Sequence, residues 1–232
     1  MNLHTFCLSL GWMTVTIASY LLGLAIRRRS RGHVFANPVL IAMAVVVTLL
    51  ILTGTPYADY FRATWLLTFL LAPATVALGL PLAKYFHHIR ESLGAVIVGL
   101  VMGSLASMVS GVCLVRWLGG SHALALAMVP KAVTTPIAMA VAGQIGGQPA
   151  LAAALAMFGG LTAAVTLGTV FALLRVTHGH AIGLSAGTAG SGVGAAQVSP
   201  LGEGPAAFAA IGIGLNGLVT ALLAPWVAAL LG

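Results

Sequence analysis

Long stretches without a formal charge constrain this chain more than any other feature. Ser92 to Val115, Gly204 to Gly232 and Ala63 to Ala83 contain no Asp, Glu, Lys or Arg, and Ala132 to Leu174 is free of them over a length that could cross a bilayer twice. A hydrocarbon core is covered by roughly 20 helical residues, so each run is a candidate membrane segment. Only 6% of the residues are charged and 60% are apolar. A soluble domain carries about 25% charged residues. The shortage is too large for a surface that faces water, and the sequence reads as a polytopic membrane protein with the lipid bilayer as its main surroundings.

The net charge of +7 does not point to nucleic acid. Four of the basic residues form one short run, Arg27, Arg28, Arg29 and Arg31, and the others scatter over segment ends. No basic face with interleaved aromatics appears, as a nucleic-acid footprint would require. Short cytoplasmic loops collect Lys and Arg. That rule places the arginine run in the cytoplasm and the N-terminus outside. The first apolar segment has no positive region before it and a strong one after it, the pattern of a retained anchor rather than a cleaved signal. Cys7 and Cys113 both fall inside apolar segments and read as small buried hydrophobes.

The order of apolar segments predicts one domain, 1–232, of about seven or eight membrane segments, some of them broken or re-entrant. Segment one runs from about Leu3 to Ile26 and segment two from Asn37-Pro38 to about Leu52. A third spans Ala63 to Ala83 and holds Pro73 and Pro81. A fourth spans Ser92 to Val115, where Gly99, Gly103, Ser107 and Gly111 recur every four residues. Small residues along one helix face let another helix approach closely.

The second half is less regular. His122 to Ala142 is interrupted by Val129-Pro130-Lys131-Ala132-Val133-Thr134-Thr135-Pro136. Two prolines so close break the helical ladder. Broken backbone cannot face lipid and is tolerated where it lines a cavity or is buried in protein. If this stretch crosses, Arg175 falls outside; if it turns back, Arg175 falls inside, as the distribution of positive charge prefers. Pro149 to Leu174, a glycine-rich stretch from His178 to Pro205, and Phe208 to Leu230 complete the chain. A short echo between Asn37-Pro38-Val39-Leu40-Ile41-Ala42-Met43-Ala44-Val45 and Thr135-Pro136-Ile137-Ala138-Met139-Ala140-Val141 raises the expectation of an inverted repeat with broken helices, as in secondary transporters.

Lys131 is the most informative residue. Apolar sequence flanks it on both sides and no acidic residue is near it. A lysine at mid-membrane costs about 2.5–3.5 kcal/mol and usually marks a functional site; the bland reading is a lysine that snorkels to an interface. If Pro136 opens a half-helix, Thr134 and Thr135 are placed to cap it, and its N-terminus offers free N–H groups. Lysine, hydroxyls and N–H groups suit a small carboxylate. Asp59, Glu91 and Glu203 are the only acidic residues and sit at loops or segment edges, which favours an anionic substrate over a cation. Asn37-Pro38 reads either as a plain helix start or as part of the site. Pro73-Ala74-Thr75 and Pro81 read as a kink or a second discontinuous helix.

The run Gly187-Thr188-Ala189-Gly190-Ser191-Gly192-Val193-Gly194 lacks the Gly-Lys-Ser/Thr ending of a phosphate loop, which leaves low complexity or a closely packed membrane helix. His178 and His180 lack a third metal ligand. No activated nucleophile stands out, so neither an enzyme nor a cofactor is expected.

Several of these motifs together resemble the LrgB/CidB family. They are Asn37-Pro38, Leu71-Ala72-Pro73-Ala74-Thr75-Val76-Ala77-Leu78 through Pro81-Leu82, Gly146-Gly147, Gly214-Leu215-Asn216-Gly217 and above all Pro130-Lys131-Ala132-Val133-Thr134-Thr135-Pro136-Ile137-Ala138. The resemblance covers nearly the whole chain in order. It implies two functions. One is antiholin-like regulation of murein hydrolase export and lysis with a holin-like LrgA/CidA partner. The other is transport, since the plastid glycolate/glycerate translocator contains a similar domain and bacterial members are linked to monocarboxylates such as pyruvate. One departure is clear: where the family usually has Gly-Thr-Ala-Ser-His-x-x-Gly-Thr, Gly190 and Ser191 replace Ser and His, and Ala195 replaces the last Thr.

The expectation is therefore an all-α transporter or facilitator of small monocarboxylates (glycolate, glycerate, pyruvate or lactate) in the bacterial inner membrane, as a homodimer. Lys131, Thr134 and Thr135 are expected to hold the carboxylate, with Asn37, Thr75 and Thr188 lining the same cavity. The antiholin-like regulator is the alternative, and the Gly99–Gly111 stripe would be its partner-facing surface.

Overall fold

The computed structural model describes residues 3–30, 37–67, 69, 70, 73 and 83–231, and all secondary structure among them is helical. The chain divides into two compact units, Met1–Ala77 and Leu78–Gly232. In the first, helix α1 (Leu3–Arg29) ends on Arg27, Arg28 and Arg29, cations that complement the negative end of the helix dipole. Helix α2 (Pro38–Thr53) starts where Asn37 Oδ1 accepts from Val39 N at 2.9 Å, with Pro38 at the first turn. It stops at Gly54, whose φ of 63° suits glycine. Helix α3 (Tyr57–Ala63) follows a bend of 120°. Gly23 lets α2 come close, since a Cβ there would stand 2.7 Å from the Pro38 carbonyl. Tyr60 ties α3 to α1, sharing a hydrogen bond with the Thr16 hydroxyl at 3.1 Å and meeting Trp12 edge-on.

The second unit contains α4 (Phe86–Glu91), α5 (Leu93–Trp117), α6 (His122–Met128), α7 (Thr135–Gln144), α8 (Pro149–Leu173), α9 (Gly179–Val198) and α10 (Glu203–Leu231). Helices α5 and α10 run parallel, because their partners rise in number together. Val96 and Leu100 pack with Phe208 and Ile211. Ser104 bonds Asn216, and Met108, Val112 and Val115 share a core with Ala224 and Val227.

Between these helices the chain twice turns in and back. The first turn is α6 and α7. A Cβ on Gly147 would lie 3.3 Å from Ala127 N; Val129 and Val141 share one core cluster, and Val133 and Ala138 another. The partners draw closer in sequence toward the break, which is the register of an antiparallel hairpin with its tip near Thr134. The stretch does not run straight across, so the question left by its two prolines is answered by a hairpin. Its limbs are short: seven residues of α6 and ten of α7 reach about 10 and 15 Å at 1.5 Å per residue, less than a hydrocarbon core of about 30 Å.

The second turn was not expected. Helix α9 breaks at Ser191, where φ is 49° and ψ −139°. Beyond it the chain returns, so that a Cβ on Gly194 would fall onto the Ala186 carbonyl. The outgoing limb, 179–190, lies parallel to α10. Cβ atoms on Gly183 and Gly187 would fall onto the Pro205 and Ala209 carbonyls, and one on Gly212 would stand 2.7 Å from the Leu184 carbonyl. Glycine is needed here because two backbones touch with no room for side chains. The first hairpin opens at the end of the unit where α5 finishes. The second opens at the other end, where α8 finishes and α10 begins.

Four described helices are long and apolar enough to cross a membrane, or five if the bent pair α2–α3 counts as one span. The sequence expectation of seven or eight segments counted the stretch 63–83, most of which lies outside the described residues, and the two stretches that fold here as hairpins. The suggested helix break at Thr75 and Pro81 also lies outside them. Cys113 is exposed, not buried as expected of a small core hydrophobe; in a helix of this composition such a face suits lipid.

Candidate functional site

The two hairpin tips meet near the middle of α8. Gly159 faces the first, where a Cβ would stand 2.9 Å from the Lys131 carbonyl, and Gly160 faces the second, where one would stand 3.1 Å from the Gly190 carbonyl. Beside this junction is a cavity of about 610 Å³, walled by α5, α8, the first hairpin and the outgoing limb of α9. Lys131 is the one charged residue on its wall among the described residues.

Lys131 is partly buried. Its ammonium donates to the Ser107 hydroxyl at 2.9 Å and to the Ser107 carbonyl. An ammonium has three N–H donors, so one is left for a ligand. No described carboxylate lies within ion-pair reach of it. The acidic residues are all exposed; Glu203 pairs with Lys84 at the end of the unit where α10 starts. That contact, hydrogen bond first and charge second, holds the Lys84 pKa above its ordinary value. Gly111 makes room for the lysine head, since a Cβ there would be 2.9 Å from Nζ.

The small-residue stripe therefore does something other than seat a helix. Gly99, Gly103 and Ser107 line the cavity, and Gly111 backs the lysine. The stripe does not meet another backbone closely; it faces the side chains of Leu184, Thr188 and Lys131 within the same unit.

Hydroxyls complete the wall. Thr162, Thr166 and Thr188 each donate to the carbonyl one turn back, at 2.7, 2.8 and 2.8 Å. Thus engaged, each turns oxygen lone pairs outward. Of the residues expected to share a site, Lys131 and Thr188 line the cavity. Thr134 and Thr135 do not; they stand at the opening of α7, and Thr134 makes no side-chain cap bond. Asn37 belongs to the other unit and caps α2. Thr75 lies outside the described residues.

Sequence reasoning passed over Ser107, which it read as packing, and Asn216, which it quoted only as part of a motif. Asn216 is 1% exposed. It accepts from the Ser104 hydroxyl and donates to the Ala132 and Thr188 carbonyls at 2.9 and 3.0 Å. An asparagine alone in the charge-free run Gly204 to Gly232 was the available signal, because a buried amide in an apolar helix needs partners.

A membrane protein helical throughout its described residues, with two inward hairpins converging on a cavity lined by Lys131, is the class that fold and site define. The chain belongs to the LrgB-like family, whose profile matches residues 16–230. It is 33% identical to the uncharacterized protein YwbG of Bacillus subtilis (strain 168), over 84% of this chain and 86% of that one. It is 30% identical to the antiholin-like protein LrgB of Bacillus mycoides (strain KBAB4), over 92% of this chain and 93% of the relative. The antiholin-like protein LrgB of Bacillus cereus (strain B4264) is 29% identical over the same shares. No solved structure matches the chain.

Proposed function

We propose that this protein carries small organic anions across the inner membrane, with Lys131 as the binding charge. One observation carries the reading: a lysine without a carboxylate partner, one donor unspent, on the wall of a cavity with no other charge among the described residues, at the junction of two hairpins. A cation site at that depth would need a carboxylate, and no described one lines this cavity. Monocarboxylates such as glycolate, glycerate, pyruvate or lactate match a single positive charge and a wall of hydroxyl oxygens. Thr188 would share the site, and Thr134 and Thr135 would reach it after a movement of the first tip.

The arrangement of elements supports the same reading. Helix α5 followed by its hairpin, and α8 followed by its hairpin, run in opposite senses and open at opposite ends. Inverted repeats around a midplane site are a usual transporter plan. The end that holds Lys84, Arg90, Arg175 and His178 is the cytoplasmic one by the distribution of positive charge.

The relatives' names favour a second reading, in which the chain acts as an antiholin-like regulator of lysis through a holin-like partner. A homodimer fits either. Uptake of labelled monocarboxylates into proteoliposomes separates the two. Transport is expected from the wild type and lost in Lys131→Gln. No flux from correctly inserted protein, with retention of an LrgA-like protein on co-purification, would replace the carrier by the regulator.

A further inference from the structure

We infer that Asn216 is a positioning residue that ties both hairpin tips to α10 through one amide, so that each tip gives up a hydrogen bond when it withdraws. Where a helix breaks, carbonyls lose their partners, and in a membrane no water replaces them. The Ala132 carbonyl would be answered in a helix by the N–H four residues on, but that residue is Pro136, which has none. The Thr188 carbonyl looks across the break at Ser191, where the helical path is interrupted. Each hairpin tip therefore presents a carbonyl that its own backbone cannot pair.

Asn216 answers both. Its two amide N–H groups go one to each carbonyl, at 2.9 and 3.0 Å. The third anchor is the Ser104 hydroxyl, which donates to Oδ1. This network leaves no choice of amide orientation, since only the N–H end can meet two carbonyls. It uses both donors of the amide and one lone pair of Oδ1, and links α10 to α5. Ala132 is the residue after Lys131, and Ala132, Lys131 and Thr188 all line the cavity. One side chain thus sets the distance between the lysine and the opposite wall.

Two independent swings would leave the cavity open to both sides at once. One amide that holds both tips to α10 keeps the cavity shut from both ends at rest, which is what a carrier without leak requires. The inference rests on the carrier reading for that consequence alone; its test needs no substrate.

The test uses the full chain in oriented membrane vesicles. Cys7 and Cys113 are replaced by Ser, and a single reporter is introduced as Ala132→Cys or Ala189→Cys. Labelling by a membrane-impermeant methanethiosulfonate is timed from each side. Asn216→Leu keeps the bulk but loses both donors and the acceptor. It should raise the labelling rate at both reporters by about tenfold, and Ser104→Ala should raise it less. A residue that only fills space would tolerate Leu, and unchanged rates in both folded variants would overturn the tie. If Asn216→Leu does not insert, Ser104→Ala decides alone: faster labelling supports the tie and an unchanged rate rejects it. Faster labelling from a protein that moves no carboxylate would leave the tie standing and remove the carrier. Carboxylate flux with labelling unmoved would do the reverse.

Discussion

Lys131 and Ser191 each hold a conformation or a charge that the surrounding sequence does not favour. A lysine in apolar surroundings costs about 2.5–3.5 kcal/mol on insertion scales, and here no carboxylate offsets it. Functional residues commonly oppose stability. Lys131→Met should therefore raise thermal stability in detergent, by about 1–3 kcal/mol, while abolishing anion binding. A clear loss of stability would mark the lysine as a structural tie to Ser107 instead. Ser191 sits at φ 49° and ψ −139°, a region that costs a non-glycine residue about 1–3 kcal/mol. Ser191→Gly should stabilise the protein by about 1 kcal/mol, and Ser191→Val should destabilise it, both read from melting curves. Ser191 stands where the family pattern places a histidine, so the tip of the second hairpin here carries a hydroxyl and not an imidazole.

The elements depend on backbone contact to an unusual degree. Gly183 and Gly187 have no space for a Cβ against α10, whereas Gly168 and Gly192 have nothing within 4 Å. Overpacking typically costs about 1–3 kcal/mol and more where backbone must move. Gly187→Ala should sharply lower the yield of folded protein. Gly168→Ala should be neutral or stabilising by up to about 1 kcal/mol. Equal effects from both, measured by size-exclusion yield and melting, would contradict the packing of α9 on α10. Much of this level was legible beforehand. Three of the four charge-free runs gave α5, α8 and α10, the fourth lying mostly outside the described residues, and Pro130 and Pro136 announced the break at the first tip because proline removes a donor. Ser191 announced nothing: the turn there comes from packing against α8 and α10, and serine has no local preference for it. The stripe Gly99, Gly103, Ser107 and Gly111 was seen but misassigned. Small residues signal only that something comes close, not whether it is a helix, a lysine or a ligand.

At the scale of the molecule, the two hairpins fix which ends of the second unit lie together. Arg175 follows α8 to the end where Lys84 meets Glu203, while Leu118 and Gly146 lie at the opposite end, beside the mouth of the first hairpin. Single cysteines at Lys84 and Val176 should be labelled from one face of the membrane, and cysteines at Leu118 and Gly146 from the other. Labelling of Lys84 and Val176 positions from opposite faces would make the first hairpin a crossing and undo the architecture. The antiholin-like names of relatives favour the regulator. The cavity favours the carrier, since a regulator has no need for a lysine held there with a donor to spare.

The most direct measurement is therefore of binding: labelled glycolate, pyruvate and lactate titrated onto the purified protein, wild type beside Lys131→Gln. Saturable binding of at least one to the wild type, lost in the variant while its fold and elution are unchanged, is the result predicted. Binding that survives the substitution, or none to the folded wild type, would contradict the assignment of Lys131 as the anion site.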